Sequence, residues 1–376
     1  MRKSLGLLSL CILSAAIASY VTWIQIRPNE HYLPDLRSQL VLNQGQPGDK
    51  GNLLGIQPEL FAADYQSPER LRLKFAAYLN KARIEGLLNS KTIVVLPEHT
   101  GTWLVASGET PEVYQAASVS DAMLWLAAGN PLQLAYALLN AQGQDRLADA
   151  LFRMKAEQMA HDYQAIFGSL AKEYGVTLVA GSIVLPAPMV KNGVLQVSDG
   201  PLYNVSQVFA SDGTALGQPQ RKVVPIIDEQ GFTAASPASA LKVVDTPAGR
   251  LGVLICADSW LPENYAALAG QHVDLLAVPA FLTGNGNWSK PWGGYNGAAT
   301  PTDVDIKPGE LTEGEAWQRM AMAGRINQGG AQAGITVFMR GQLWDLGSDG
   351  QSLVASRGQH ALAAEGHGAR LINLWL

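Results

Sequence analysis

The chain has 376 residues, of which 47% are hydrophobic and only 16% are charged, so it can bury a large core and is not disordered throughout. The formal net charge is −5 and there is no basic cluster, which argues against nucleic acid as a partner. The two cysteines, Cys11 and Cys256, cannot form a disulfide within the folded domain, because Cys11 lies in an apolar N-terminal segment. The six scattered histidines lack the spacing of a zinc site.

The N-terminus carries a membrane or export signal. Arg2 and Lys3 precede an uncharged run from Ser4 to Ile26, and about 20 such residues span a bilayer as a helix. We therefore expect residues 1–28 to be a transmembrane anchor. Because positive charge stays on the cytoplasmic side, we expect the rest of the chain to lie outside the cytoplasmic membrane, which is the periplasm in a Gram-negative cell. The alternative is a signal peptide cleaved near residues 16–18, where Ala16 and Ala18 resemble the small residues of a cleavage site, which would leave a secreted protein.

A polar segment with Gly and Pro at residues 29–50 predicts a linker, and residues 51–376 then predict one folded domain. Continuous apolar runs and hairpin turns alternate with helical spacing along this domain. The pattern predicts an α/β fold with mixed sheets. The expected elements are strands at 52–57, 93–96, 176–185, 273–280 and 333–340, helices at 67–88 and 313–328, a mostly helical stretch at 110–173, hairpins at 200–216 and 240–256, and a last strand pair at 350–356 and 370–376.

Three polar side chains stand at the ends of apolar strands, where they can line a crevice. Glu98 follows "IVVLP", Lys222 lies in "QRKVVP", and Cys256 follows "LGVLI". A thiol is a nucleophile only as the thiolate, so it needs a nearby base, and a carboxylate can serve as that base. An ammonium group can then stabilise the charge of a tetrahedral intermediate. These three groups therefore form a coherent set for thiol catalysis.

The sequence around each of the three residues resembles a motif of the nitrilase, or carbon–nitrogen hydrolase, superfamily. "VVLPEH" is similar to the family's glutamate motif, "QRKVVPIIDEQGF" to its lysine segment, and "GRLGVLICADSWLPENY" to its nucleophile elbow. The motifs occur in the family's order, and weaker similarity runs over about residues 50–360. One departure is the Ala257 that follows the thiol, where the family more commonly has an aromatic residue.

The resemblance implies a four-layer α-β-β-α sandwich and hydrolysis of a non-peptide carbon–nitrogen bond through a Cys256 thioester. It implies that Glu98 is the general base, and that Lys222 and the backbone N–H of Ala257 stabilise the oxyanion. Glu229 is the candidate for the family's second glutamate, although the neighbouring Asp228 leaves that register open. The resemblance implies no cofactor and no metal.

Two segments bear on the substrate, a small amide or acyl compound. A helical, apolar insertion at about residues 101–150 follows Glu98, and is either an additional packing layer or oligomer contact, or a lid or acyl-chain pocket over the site. The Gly- and aromatic-rich loop after the strand at 273–280 places Trp288 and Trp292 as candidate substrate-binding residues. Three alternative functions stay open: an acyltransferase that passes the acyl group to an amine, a nitrilase, and a catalytically silent binding module.

Overall fold

The computed structural model describes residues 2–27 and 32–376. Residues 28–31, at the junction of the expected anchor and linker, lie outside the described residues. Within these ranges the α-helices are α1 (Arg2–Ile24), α2 (Pro68–Ile84), α3 (Pro111–Gln115), α4 (Val119–Gly129), α5 (Pro131–Asn140), α6 (Arg146–Tyr174), α7 (Pro262–Ala269), α8 (Glu313–Met320) and α9 (Met322–Arg325). The strands are β1 (Ser38–Gln44), β2 (Asn52–Gln57), β3 (Glu59–Phe61), β4 (Thr92–Val95), β5 (Thr177–Val179), β6 (Ile183–Pro186), β7 (Met189–Lys191), β8 (Val194–Gln196), β9 (Leu202–Phe209), β10 (Ala215–Arg221), β11 (Val243–Thr246), β12 (Gly249–Val253), β13 (Leu275–Ala280), β14 (Ala333–Phe338), β15 (Arg340–Leu343), β16 (Leu346–Ser348), β17 (Leu353–Ser356), β18 (Gln359–Leu362) and β19 (Ala369–Trp375).

Two mixed sheets form the centre of the molecule. The first has the strand order β1-β19-β2-β4-β5-β9-β10, with β6 also paired to β9. The second has the order β11-β12-β13-β14-β17-β18. Strands β2, β4 and β5 are parallel neighbours in the first sheet, and β12, β13 and β14 are parallel neighbours in the second. Such parallel strands are buried on both faces, which explains the continuous apolar runs of the sequence.

The core has three layers of apolar side chains, one between the sheets and one on the outer face of each. Side chains such as Leu53 and Val95 from the first sheet meet Leu251 and Ile335 from the second. Helices α2 and α6 cover the outer face of the first sheet, and α7 and α9 cover that of the second. This confirms the four-layer α-β-β-α sandwich.

Local signals in the sequence set the ends of the covering helices. The Ser67 hydroxyl accepts a hydrogen bond from the Arg70 N–H and caps α2, whose first residue is Pro68. Helix α6 ends at Gly175, which takes a left-handed conformation with φ 65°. These caps explain why the helices begin and end close to the expected positions.

Two expectations about the edges of the domain were wrong. The segment expected to be a linker contains β1, which pairs in parallel with β19. Leu40 and Leu42 of β1 pack on the core, and this burial outweighs the polar composition of their surroundings. The expected last strand pair does not form, because β17 lies in the second sheet and β19 in the first.

Helix α1 is exposed along most of its length and contacts the domain near its C-terminal end. Among the described residues, Gly6–Ile24 is the one straight helix long and apolar enough to cross a membrane, a test that signal peptides also pass. Its side chains from Gly6 to Thr22 are exposed, whereas Trp23 and Ile24 are partly buried. Both expectations for the N-terminus, an anchor and a signal peptide, are compatible with this helix.

The expected helical insertion contains α3, α4, α5 and the first turn of α6. Val113, Ala122 and Leu126 pack into the core on the outer side of the first sheet. The Trp344 indole N–H donates to the Val113 carbonyl at 2.7 Å and fixes the insertion to the loop between β15 and β16. The inner face of the insertion is therefore an additional packing layer.

Candidate active site

Glu98 is brought into the interior by the end of β4. The Leu96 N–H still donates to the Val179 carbonyl of β5, and Pro97 then ends the strand. A side chain at Gly181 would lie 2.0 Å from the Pro97 oxygen, so only glycine lets the chain pass this turn. The Glu98 side chain is fully buried as a result.

Lys222 follows β10 and points at two carboxylates. Its ammonium nitrogen lies 2.8 Å from Glu98 Oε1 and also bonds Glu229 Oε2. Although burial alone would lower the pKa of Lys222, the charges of Glu229 and Glu98 hold it well above its usual value. Burial alone would raise the pKa of Glu229, but Lys222, followed by His99, holds it well below its usual value. The Lys222 ammonium therefore lies between the two carboxylates and bonds both.

Asn204 of β9 joins the two glutamates from the other side. Its amide nitrogen donates to Glu98 Oε1 at 3.0 Å and to Glu229 Oε1 at 2.8 Å. The His99 ring nitrogen Nε2 lies 3.4 Å from the same oxygen of Glu229. The sequence interpretation missed both residues. The available signal for Asn204 was a polar residue inside a strand whose neighbours are apolar.

Cys256 lies just beyond β12, on the second sheet. Its backbone is in the left-handed region with φ 50°, which is uncommon for a residue other than glycine and occurs often at active sites. The thiol donates to the Phe281 carbonyl at 3.7 Å. Burial and then the Glu98 charge raise the pKa of Cys256 well above its usual value, whereas Lys222 opposes this. The resting thiol is therefore protonated and requires a base.

Asp258 fixes the lysine segment to the turn that carries Cys256. Its buried carboxylate accepts backbone N–H bonds from Val223 at 2.9 Å and Val224 at 2.8 Å, and a longer one from Ile255. Burial raises the pKa of Asp258 to about 7 against the effect of these donors. Because Val223 follows Lys222, this clamp sets the position of the ammonium relative to the thiol.

A cavity of about 290 Å³ opens beside the thiol. Of the candidate site residues, Cys256, Ala257 and Trp292 line it. Trp288 does not line it, because its ring packs edge-on against Phe338 and over Gly314. No residue of the insertion at 101–150 lines this cavity, so the expectation that the insertion forms its lid or acyl-chain pocket is not supported.

Glu98, His99 and Glu229 bring ligand atoms within 4.8 Å of one another, as metal ligands do. However, the Lys222 ammonium already bonds both carboxylates and supplies their positive partner. The sequence left open whether Asp228 or Glu229 is the family's second glutamate. In the structure Glu229 is buried and Asp228 is exposed. The geometry thus favours a charged Glu–Lys–Glu group next to a thiol.

Comparison with known proteins finds carbon–nitrogen hydrolases and amidases. A carbon-nitrogen hydrolase family profile matches residues 147–299. An omega-amidase from Xenopus laevis is 30% identical over 142 residues, which are 35% of this chain and 48% of that protein. The crystal structure of an amidase from Nesterenkonia sp. matches with a TM-score of 0.52 and 15% identity, over 88% of this chain and 92% of that one. These sequence matches assign residues 147–299 to the carbon–nitrogen hydrolase superfamily.

Other matches point to the same superfamily. A deaminated glutathione amidase from Yersinia enterocolitica is 31% identical over 129 residues, or 32% of this chain and 42% of that protein. A carbon–nitrogen hydrolase from Helicobacter pylori G27 has the same fold, with a TM-score of 0.53 and 19% identity over 86% of this chain and 88% of that one. The chain spans about half, or less, of the length of the curated relatives it matches. The profile includes Lys222 and Cys256 but begins after Glu98.

Proposed function

We propose that this chain is a thiol-dependent amidase that hydrolyses a small, non-peptide amide outside the cytoplasmic membrane. The observation that carries the proposal is the buried Glu98–Lys222 pair beside Cys256, which has a left-handed backbone at the wall of a cavity. We assign residues 38–376 to the catalytic domain, because β1 belongs to its first sheet.

In the acylation half-reaction, the Glu98 carboxylate takes the proton of the Cys256 thiol as the sulfur bonds the amide carbon. The carbonyl oxygen becomes an oxyanion, which the Lys222 ammonium and the Ala257 N–H stabilise. The intermediate then collapses, the carbon–nitrogen bond breaks, and the amine leaves with the proton held by Glu98. The product is a thioester on Cys256. A general base of this kind contributes about 10²–10⁴-fold to rate.

In the deacylation half-reaction, Glu98 takes a proton from a water molecule that attacks the thioester carbon. The carbon–sulfur bond breaks, the acid is released, and the proton returns to the Cys256 sulfur. Glu229 contributes by holding Lys222 charged throughout, since its carboxylate bonds the ammonium. Asn204 keeps the two glutamates at fixed positions on either side of that ammonium.

The N-terminal segment supports the proposed location. Arg2 and Lys3 precede the apolar part of α1, Gly6–Ile24, and the positive-inside rule then favours a catalytic domain beyond the membrane whether α1 is retained or cleaved.

The proposal is tested with the purified full chain and a panel of amides, N-acyl amines, nitriles and ureas. Intact-mass analysis should show an acyl adduct with an amide substrate in the wild type and no adduct in Cys256→Ala. Absence of both an adduct and turnover for every compound would favour a silent binding module. Transfer of the acyl group to an added amine in preference to water would instead favour an acyltransferase.

A further inference from the structure

The walls of the Cys256 cavity are aromatic. Trp260 stacks on Trp292 with ring planes 5° apart, and the rings of Tyr295 and Trp317 meet Trp260 edge-on. All four side chains line the cavity. Aromatic rings form an apolar wall that also attracts cations.

The charged side chains that line this cavity are acidic. Glu313 is partly buried in the wall and accepts a hydrogen bond from the Trp317 indole N–H at 3.1 Å, and Asp228 is exposed at the rim. No Lys or Arg is found among the described residues that line the cavity. Burial raises the pKa of Glu313. A carboxylate held in an apolar wall without a cationic side chain is suited to a cation supplied by a ligand.

We propose that the amide substrate carries a cationic group, such as a primary ammonium, which Glu313 and the aromatic wall bind. This inference rests on the proposed amidase function. A substrate with a carboxylate in the same position would instead meet the negative charge of Glu313 in a poorly solvated wall.

The test compares kcat/KM of the full chain for three amides of similar length: 5-aminopentanamide, hexanamide and glutaramate. We expect about tenfold or greater preference for the cationic amide over the neutral one. Glu313→Gln should reduce this ratio to near one, whereas Asp305→Asn, which changes an exposed carboxylate outside the cavity, should keep it. Equal rates or a preference for glutaramate in the wild type would overturn the inference, as would an unchanged ratio in Glu313→Gln. Failure of the amidase function itself is distinguished by the absence of a Cys256 adduct with all three amides.

The outer face of the insertion is a second surface, and the observations that point to its role are independent of the cavity. The sequence from Ala122 to Gln144 contains no charged residue. Helices α4 and α5 are together as apolar as a membrane span but are bent by 105° relative to each other, so they do not form one straight span. Their exposed large hydrophobic side chains are Leu124, Trp125, Leu132, Tyr136 and Leu139.

The end of α1 contacts this same insertion. The Tyr20 hydroxyl donates to the Ala128 carbonyl at 2.8 Å, and the Trp23 indole N–H donates to Glu112 Oε1 at 2.9 Å. The rings of Trp23 and Trp125 lie 5.9 Å apart. The C-terminal end of the membrane-spanning candidate therefore contacts the insertion.

We infer that the outer face of α4 and α5 lies in the bilayer interface next to the end of α1. An apolar helical face can bury itself at the headgroup boundary, and Trp and Tyr residues are enriched at that depth. Continuity with α1 identifies the bilayer, rather than another protein, as the occupant of this face.

The experiment places the photo-crosslinking residue benzoylphenylalanine at Leu132 in the full chain, reconstituted in vesicles of phosphatidylcholine and phosphatidylglycerol. The matched control position is Ile84, at the end of α2, because the two side chains are 85% and 79% exposed. We expect about tenfold more lipid adduct from position 132 than from position 84, read by intact mass. Equal lipid adduct at the two positions would overturn the inference, and so would crosslinking of position 132 to a second copy of the chain.

Discussion

Replacing Glu98 with Gln removes one of three buried charges beside the Cys256 thiol and keeps the size of the side chain. Glu98, Glu229 and Lys222 together carry a net charge of −1 in the wild type, and the variant leaves a neutral Lys222–Glu229 pair. Lys222 keeps one carboxylate partner, and the Gln oxygen can still accept from Asn204. We therefore expect the free energy of unfolding to fall by about 1 kcal/mol.

The same substitution has opposite effects on two properties of the thiol. Amide turnover should fall by about 10²–10⁴-fold, because the base is lost. The pKa of Cys256 should fall, because the Glu98 charge is one of the causes that raise it, while Lys222 remains. Two unit charges about 4 Å apart at an effective dielectric constant of about 20 interact by about 4 kcal/mol, which sets the scale of the repulsion removed from the thiolate.

The assay is the rate of iodoacetamide alkylation at Cys256 between pH 6 and 10, with the modified site confirmed by mass spectrometry and turnover measured in parallel. Glu157→Gln, a change at an exposed carboxylate on α6, serves as the control and should alter neither property. An alkylation midpoint that stays in place or moves to higher pH in Glu98→Gln would refute the proximity of the two groups. Retained turnover would refute the role of Glu98 as the base.

Variants at Lys222, Asn204 and Trp292 test other parts of the site. Lys222→Met leaves two buried carboxylates without a cation, so urea unfolding should show a loss of about 3–5 kcal/mol, well above that of the glutamate variant. Asn204→Asp adds a carboxylate to the buried group, and the pH midpoint of thiol alkylation should move upward, the reverse of the shift in Glu98→Gln; a downward shift would contradict this charge argument. Trp292→Ala should raise KM for amides several-fold, since the ring lines the cavity, whereas Trp288→Ala should not, and steady-state kinetics on both variants distinguish them.

The three residues at strand ends could be predicted because their signals are local. An apolar run followed at once by a polar residue marks the point where a buried strand ends, and this placed Glu98 and Cys256 at the rim of the core. Lys222 was recognised by its surrounding motif. Local sequence was also sufficient for the start of α2, which depends on capping, and for the bounds of β2, which depend on continuous burial; the expected end of α2, at residue 88, was four residues too late.

Contacts between distant segments could not be predicted in the same way. Asn204 meets Glu98 only because β9 and β4 belong to one sheet, and the sequence of neither strand specifies that arrangement. Trp288 and Trp292 lie in the same Gly- and aromatic-rich loop, yet of the two only Trp292 lines the cavity. The direction of each ring depends on its packing against Phe338 or Trp260, residues far away in the sequence.

The position of β19 between β1 and β2 affects how the protein reaches its folded state. Strand β1 follows α1, but its sheet partner is the last strand described, so the first sheet stays split until Ala369–Trp375 has been made. Pairings between such distant segments are slow to form because a long loop must close first. Until then, the facing edges of β1 and β2 remain open to other strands, as unpaired edges are. Synthesis of the chain through β19 is therefore a precondition for closing the sheet, and a nascent chain truncated before β19 would be a target for chaperones and proteases.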